Sequence, residues 1–256
     1  MNEAIFTKKF IIKTVILSVL IAFIFTGLYA GIKYYLEIPE KAIIYVPGDT
    51  YSISRNVETK EDASIHKVTA KIIPVLDKMD FIKEMWDSKQ FYPTYVWYNY
   101  ESEQEVMVTA VDIKIESNKS DLGKYEAFEK YVINRYGEDE AEKFFTPIKI
   151  DEEMSGNSDS LAIMLALIAV YEEKNWLHSN KNIVITGNID EHGNILPVGA
   201  VDLKAITAEN RDADVFIVPA QQYDEVFKFI GEKTPMKVLP VKHITETIEW
   251  LDSNIQ

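Results

Sequence analysis

A chain of 256 residues, 47% hydrophobic and 12% aromatic, carries enough apolar side chain for one sizeable core or for a small and a medium one. Its formal net charge of −14 argues against nucleic acid or an anionic membrane surface as a partner. It has no cysteine, which excludes thiol catalysis, disulfides and thiolate metal sites.

Thr14 to Ile32 is an uncharged apolar run long enough to cross a bilayer as a helix. Lys8, Lys9 and Lys13 precede it, whereas Glu37 and Glu40 follow close behind Lys33. This bias predicts a cytoplasmic N-terminus, a single-pass anchor through residues 10–32 in the cell membrane, and an extracytoplasmic bulk. A cleaved signal peptide is the alternative, with Leu28-Tyr29-Ala30 as a weak cleavage site. The apolar run exceeds the usual signal length of about 7–15 residues.

Beyond the anchor, Ala42 to Val46 reads as a strand, Pro47-Gly48-Asp49 as a turn, and Thr59 to Ser64 as a polar loop. His66 to Val75 alternates like a second strand, Asp77 to Lys89 has helical character, and Tyr92 to Tyr100 is dense in aromatics, as in a core or an assembly surface. Val106 to Ile115 alternates again. Lys124 to Tyr136 places Tyr125, Phe128, Val132 and Tyr136 on one helical face, Glu138 to Lys143 reads as a solvated charged run, and Ile148 to Ile150 as a short strand.

The chemistry concentrates between Ser155 and Ala205. Gly156-Asn157-Ser158-Asp159-Ser160 is a tight turn running into an apolar helix, with Leu161, Leu165 and Ile168 at helical spacing. Ser158 therefore falls at or just before a helix N-terminus, where backbone N–H groups would meet a developing oxyanion. Asn182 to Thr186 reads as a strand, His192-Gly193 as the tip of a hairpin, and Lys204 falls in the first turn of a further helix. A lysine acting as general base must be neutral, so burial has to bring its pKa down from about 10.4 towards 7–8.

These motifs resemble the proteolytic domain of Lon-type serine proteases, which use a Ser–Lys dyad. The Gly-x-Ser-x-Gly turn of that family is matched by Gly156-Asn157-Ser158-Asp159-Ser160. Its Thr-Gly strand end, Leu-Pro-x-Gly segment and lysine are matched in order by Thr186-Gly187, Leu196-Pro197-Val198-Gly199 and Lys204. The resemblance implies Ser158 as nucleophile, Lys204 as base, Thr186 bonded to the lysine, and Gly156 and Asp159 at the oxyanion turn. Three departures stand out. Asp159 follows the nucleophile where the family has a small residue, Ser160 replaces a glycine and is a rival nucleophile, and Ala200 replaces one of two glycines before the lysine. An acid at 159 would either suit the first turn of its helix or hold Lys204 protonated. The juxtamembrane stretch is similar to that of membrane-anchored Lon-like proteases of Gram-positive bacteria, without a separate PDZ module.

The remaining elements alternate: a strand at Val215 to Val218, a helix at Tyr223 to Ile230, a strand at Lys237 to Val241 and a helix at Ile244 to Leu251. The expectation is an α/β (α+β) fold in three parts: residues 1–35 as tail and anchor, 36–105 as a small juxtamembrane region, and 106–256 as a Lon-like proteolytic domain. The four histidines show no metal-ligand spacing, and Gly231-Glu232-Lys233-Thr234 lacks the earlier glycine of a phosphate loop. Neither metal, cofactor nor ATP is expected. The implied function is an ATP-independent serine peptidase acting on flexible protein or peptide segments outside the cytoplasm. The alternatives are a catalytically silent Lon-like binding module at the cell surface, or a tethered subunit that assembles into a homo-oligomer.

Overall fold

The computed structural model describes residues 2–38, 42–59, 62–75, 77–91, 97–100, 126–127, 129–149, 157–231 and 234–255. The expected strand at 106–115, the aromatic residues Tyr92 and Tyr95, and the positions Ser155 and Gly156 lie outside them. Helix α1 (Asn2–Glu37) contains Val15–Glu37, long and apolar enough to cross a membrane, with a mean hydropathy of 2.4 in its apolar window. Its apolar side chains, Phe23, Phe25 and Leu36 among them, are exposed, as a lipid-facing helix requires.

Six strands build one mixed sheet: β1 (Ala42–Ser52), β2 (Ile65–Val75), β3 (Trp97–Tyr100), β4 (Ile183–Ile185), β7 (Val215–Pro219) and β8 (Lys237–Val241). The order is β3-β1-β2-β4-β7-β8, with β3, β1 and β2 mutually antiparallel and β2, β4, β7 and β8 parallel. A small hairpin of β5 (Asn188–Ile189) and β6 (Ile195–Leu196) stands apart. The helices that follow α1 are α2 (Lys78–Phe91), α3 (129–136), α4 (Glu138–Phe145), α5 (Ser160–Tyr171), α6 (Val201–Asn210), α7 (Tyr223–Ile230) and α8 (Ile244–Asn254).

Strand periodicity divides the core into layers. Ile183, Ile185, Val215 and Ile217 face α5 and the packed side chains of α3, α4 and α8, whereas Val184, Phe216 and Val218 face α6 and α7. Helix α5 is apolar on every side and buried continuously from Ser160 to Ala169, so it is the central helix of its layer. On β1, Ala42, Ile44 and Val46 pack with Phe81 and Met85 of α2. Asp77 caps that helix by accepting from the amides of Met79 and Asp80, each at 2.8 Å.

One local expectation is corrected. Pro47-Gly48-Asp49 does not turn the chain; it lies within β1, where the register with β2 shifts between Pro47 and Thr50. Sheet pairing overrides the local turn signal by absorbing it as a bulge. Glu138 to Lys143 is the solvated charged run expected, and it is also helical, because three acids complement its N-terminus while Phe144 enters the core. The sheet also runs across the boundary expected at residue 105: β2, from before it, pairs with β4, from after it.

Candidate active site

The candidate residues gather at the carboxyl end of β4. Just beyond that strand, Thr186 and Gly187 grip the turn that leads into α5. The Ser158 carbonyl accepts from Thr186 Oγ1 at 3.0 Å and from the Gly187 amide at 2.9 Å, and the Leu161 amide donates to the Gly187 carbonyl at 3.0 Å. Thr186, which the resemblance ties to the lysine, thus donates to the carbonyl of Ser158 and fixes the turn ahead of α5.

Within the turn the two serines have different surroundings. Ser158 is partly exposed, two residues ahead of the helix. Ser160 is the first helical residue and 0% exposed, and its hydroxyl has no hydrogen-bond partner among the described residues. The amides of Ser160 and Leu161 are taken by the Asn157 and Gly187 carbonyls, at 3.1 and 3.0 Å. Asp159 occupies the N-cap position, but its side chain makes no capping bond. It turns instead to Lys67 of β2, with Oδ2 3.6 Å from a lysine Nζ whose side chain is 0% exposed.

Sequence reading passed over Lys67. The signal was there in the alternation of β2, which puts Lys67 on the same face as the buried Ile65 and opposite to Val68. Parallel pairing sets Lys67 level with Ile185, one residue before Thr186. An ionised lysine at that level must find a partner to be tolerated, and Asp159 supplies one.

Lys204 approaches from the other layer. It is the fourth residue of α6 and 5% exposed. Burial pushes its amine from 10.5 down to about 8, against an opposing pull from the Asp159 charge. Several contacts fix the helix. Val198 and Gln222 exchange two hydrogen bonds of 2.8 Å just before it. The Gly48 amide of the β1 bulge donates to Thr207 Oγ1 at 3.0 Å, and that hydroxyl donates to the Leu203 carbonyl at 2.8 Å. Ala200, the departure from a glycine pair, sits at the N-cap with φ 51° and ψ 42°, in the left-handed region.

A groove of about 400 Å³ opens beside Asn157, the neighbour of Ser158, between α3 and the β5–β6 hairpin, with Lys130, Asn188, Ile189 and Leu196 among its walls. His192 lies at the exposed hairpin tip, as its flanking residues predict.

Comparison with known proteins agrees with this arrangement. The profile of the Lon protease (S16) C-terminal proteolytic domain matches residues 151–252. The archaeal Lon protease of Pyrococcus abyssi is 28% identical over 98 residues, covering 38% of this chain and 10% of that protein. The archaeal Lon protease of Archaeoglobus fulgidus is 29% identical over 98 residues, covering 38% and 15%. The Lon protease of Campylobacter jejuni is 25% identical over 97 residues, covering 37% and 12%. The matched part of the chain thus spans a small fraction of each relative's length, confined to one region. Residues 151–252 are similar to the C-terminal proteolytic domain of Lon (S16) proteases, a likeness that suggests a serine peptidase.

Proposed function

We propose that the protein is a membrane-anchored serine peptidase in which Ser158 and Lys204 form a catalytic dyad. The observation that carries this reading is a buried lysine within reach of the charge of Asp159, the residue after Ser158, its amine brought down to about 8, so that a useful fraction is neutral near physiological pH. The greater exposure of Ser158 favours it over Ser160, which is sealed in the core.

In the proposed reaction the neutral Lys204 amine takes the proton from Ser158 Oγ as that oxygen attacks the scissile carbonyl. The amides at Ser158 and Asp159 receive the oxyanion, since those of Ser160 and Leu161 are committed elsewhere. Lys204 then gives its proton to the leaving amine, and an acyl-enzyme remains on Ser158. Water, deprotonated by the same amine, hydrolyses that ester and restores the dyad. A flexible protein segment laid in the groove beside Asn157 reaches the serine without unfolding by a motor, so no ATP is needed. The charge bias around α1 supports an extracytoplasmic location for this chemistry.

The test is labelling of the full chain, in detergent micelles, by a serine-directed phosphonate, together with cleavage of an unstructured reporter. Ser158→Ala is expected to lose both, while Ser160→Ala keeps both. The cleavage rate is expected to rise about tenfold from pH 6 to 7 and to level off above about 8, as the amine loses its proton. Labelling that survives in Ser158→Ala and disappears in Ser160→Ala would move the nucleophile to the buried serine.

A further inference from the structure

The acid beside the nucleophile is the feature that most threatens a Ser–Lys dyad. Asp159 is adjacent to Ser158 in sequence and is the charged group whose field acts on Lys204, favouring the protonated amine. Yet the carboxylate has a second lysine against it. Lys67 reaches it from β2, entirely buried, at 3.6 Å. The two lysines approach from different elements, Lys67 from a central strand and Lys204 from the first turn of α6. Their circumstances differ: the first is ion-paired with the acid, whereas the second feels it only at longer range.

The other charges around α6 have separate commitments. Asp49 of β1 pairs with Arg211 and, at 3.5 Å, with Lys71. Asp224, Glu225 and Lys228 of α7 are exposed to solvent. On α6 itself the Asp202 carboxylate accepts from the Leu203 amide at 2.8 Å.

We propose that Lys67 is a positioning residue of the dyad, which binds and neutralises Asp159 so that the acid beside the nucleophile does not hold the Lys204 amine in its charged form. The role rests on the Ser158–Lys204 reading. It accounts for a lysine inside a sheet and for an acid in place of a small residue with one contact. On the neighbouring strand, Lys67 lies level with Ile185, the residue before the threonine that pins the Ser158 carbonyl, so the ion pair sits against the same turn. Without Lys67, the buried Asp159 carboxylate would lose this ion pair, and its charge would bear more strongly on Lys204.

The experiment uses the full chain in micelles with its lysines labelled by 13C at Cε, the Lys204 resonance being assigned by its loss in Lys204→Met. In Lys67→Met the titration midpoint of Lys204 is expected to rise by about one pH unit or more. Reporter cleavage at pH 7 should fall about tenfold, with the acid limb of its pH profile displaced upward by the same amount. In Lys67→Met/Asp159→Ala both charges are gone, and the midpoint is expected at or below that of the parent, with cleavage restored to within a few-fold. A merely structural Lys67 would leave the midpoint unmoved in both variants, and an unmoved midpoint in folded Lys67→Met overturns the proposal. Should that single variant fail to fold, the double variant decides: a midpoint above the parent's, or a folded protein without cleavage, counts against it. The dyad reading fails separately, by cleavage that persists in Ser158→Ala, which leaves the Lys204 titration intact as a readout.

Discussion

Replacing the proposed base should stabilise the protein while silencing it. Lys204 keeps its charge in water up to about 10.5 but only to about 8 in the fold. At about 1.4 kcal/mol per pH unit, the charged amine is therefore about 3 kcal/mol less favourable in the folded chain than in the unfolded one. The sign follows from proton counting. Between pH 8 and 10.5 the unfolded state holds the extra proton, so stability rises with pH across that window. Below pH 8 both states are protonated and the full penalty is present. Lys204→Met keeps most of the stem's packing and removes the charge. An imperfect fit of the thioether offsets part of the gain, leaving about 2 kcal/mol at pH 7. The advantage over the parent should shrink towards zero by pH 10. Urea unfolding of the full chain in micelles measures it, with the emission of buried Trp176 reporting on the core around α5. Loss of stability in Lys204→Met at pH 7, or an advantage that does not change between pH 7 and 10, would refute the assignment of a strained, mostly charged amine. Reporter cleavage should be abolished in either case.

Two further substitutions probe how the base helix is held. Ala200→Gly relieves a left-handed alanine, gaining about 1–2 kcal/mol in the native state against roughly 0.4–1 lost to the freer unfolded chain. The urea midpoint should rise slightly at unchanged slope. Gly48→Ala would drive a methyl group into the side chain and carbonyl of Thr69 and disturb the bond from the Gly48 amide to Thr207. It should cost about 1–3 kcal/mol in unfolding and reduce cleavage without abolishing phosphonate labelling.

The fold was legible where local pattern and tertiary demand coincide. Helix α5 declares itself by an unbroken apolar run, and β7 by Val215-Phe216-Ile217-Val218, whose members fill both layers. The turn ahead of α5 was legible for the same reason: its polar residues and the helix start are contiguous in sequence. What escaped were features fixed only by pairing across the chain. Lys67 and Asp159 become partners because β2 and β4 align in parallel and α5 begins at the end of β4; nothing near either residue names the other. Gly48 carries the residue types of a turn, yet its amide serves a threonine on α6 while the strand continues past it. Nothing in the charged run at the start of α4 announces that Glu140 accepts from the Tyr171 hydroxyl at 2.7 Å.

The proposed site also ties the membrane-proximal stretch to the chemistry. β1 follows α1 closely in sequence, and it is β1 that places the Gly48 amide on the helix carrying Lys204. β2 pairs with β1 on one side and with β4 on the other, and it contributes Lys67 from between them. A proteolytic unit starting after residue 105 would therefore lack the partner of Asp159, one restraint on α6, and the strand that covers the edge of β4. Unpaired backbone groups at that edge and a buried carboxylate without its lysine are both costly. The region that matches the family, residues 151–252, contains the proposed nucleophile and the proposed base. The environment in which that base is useful comes in part from strands that precede it.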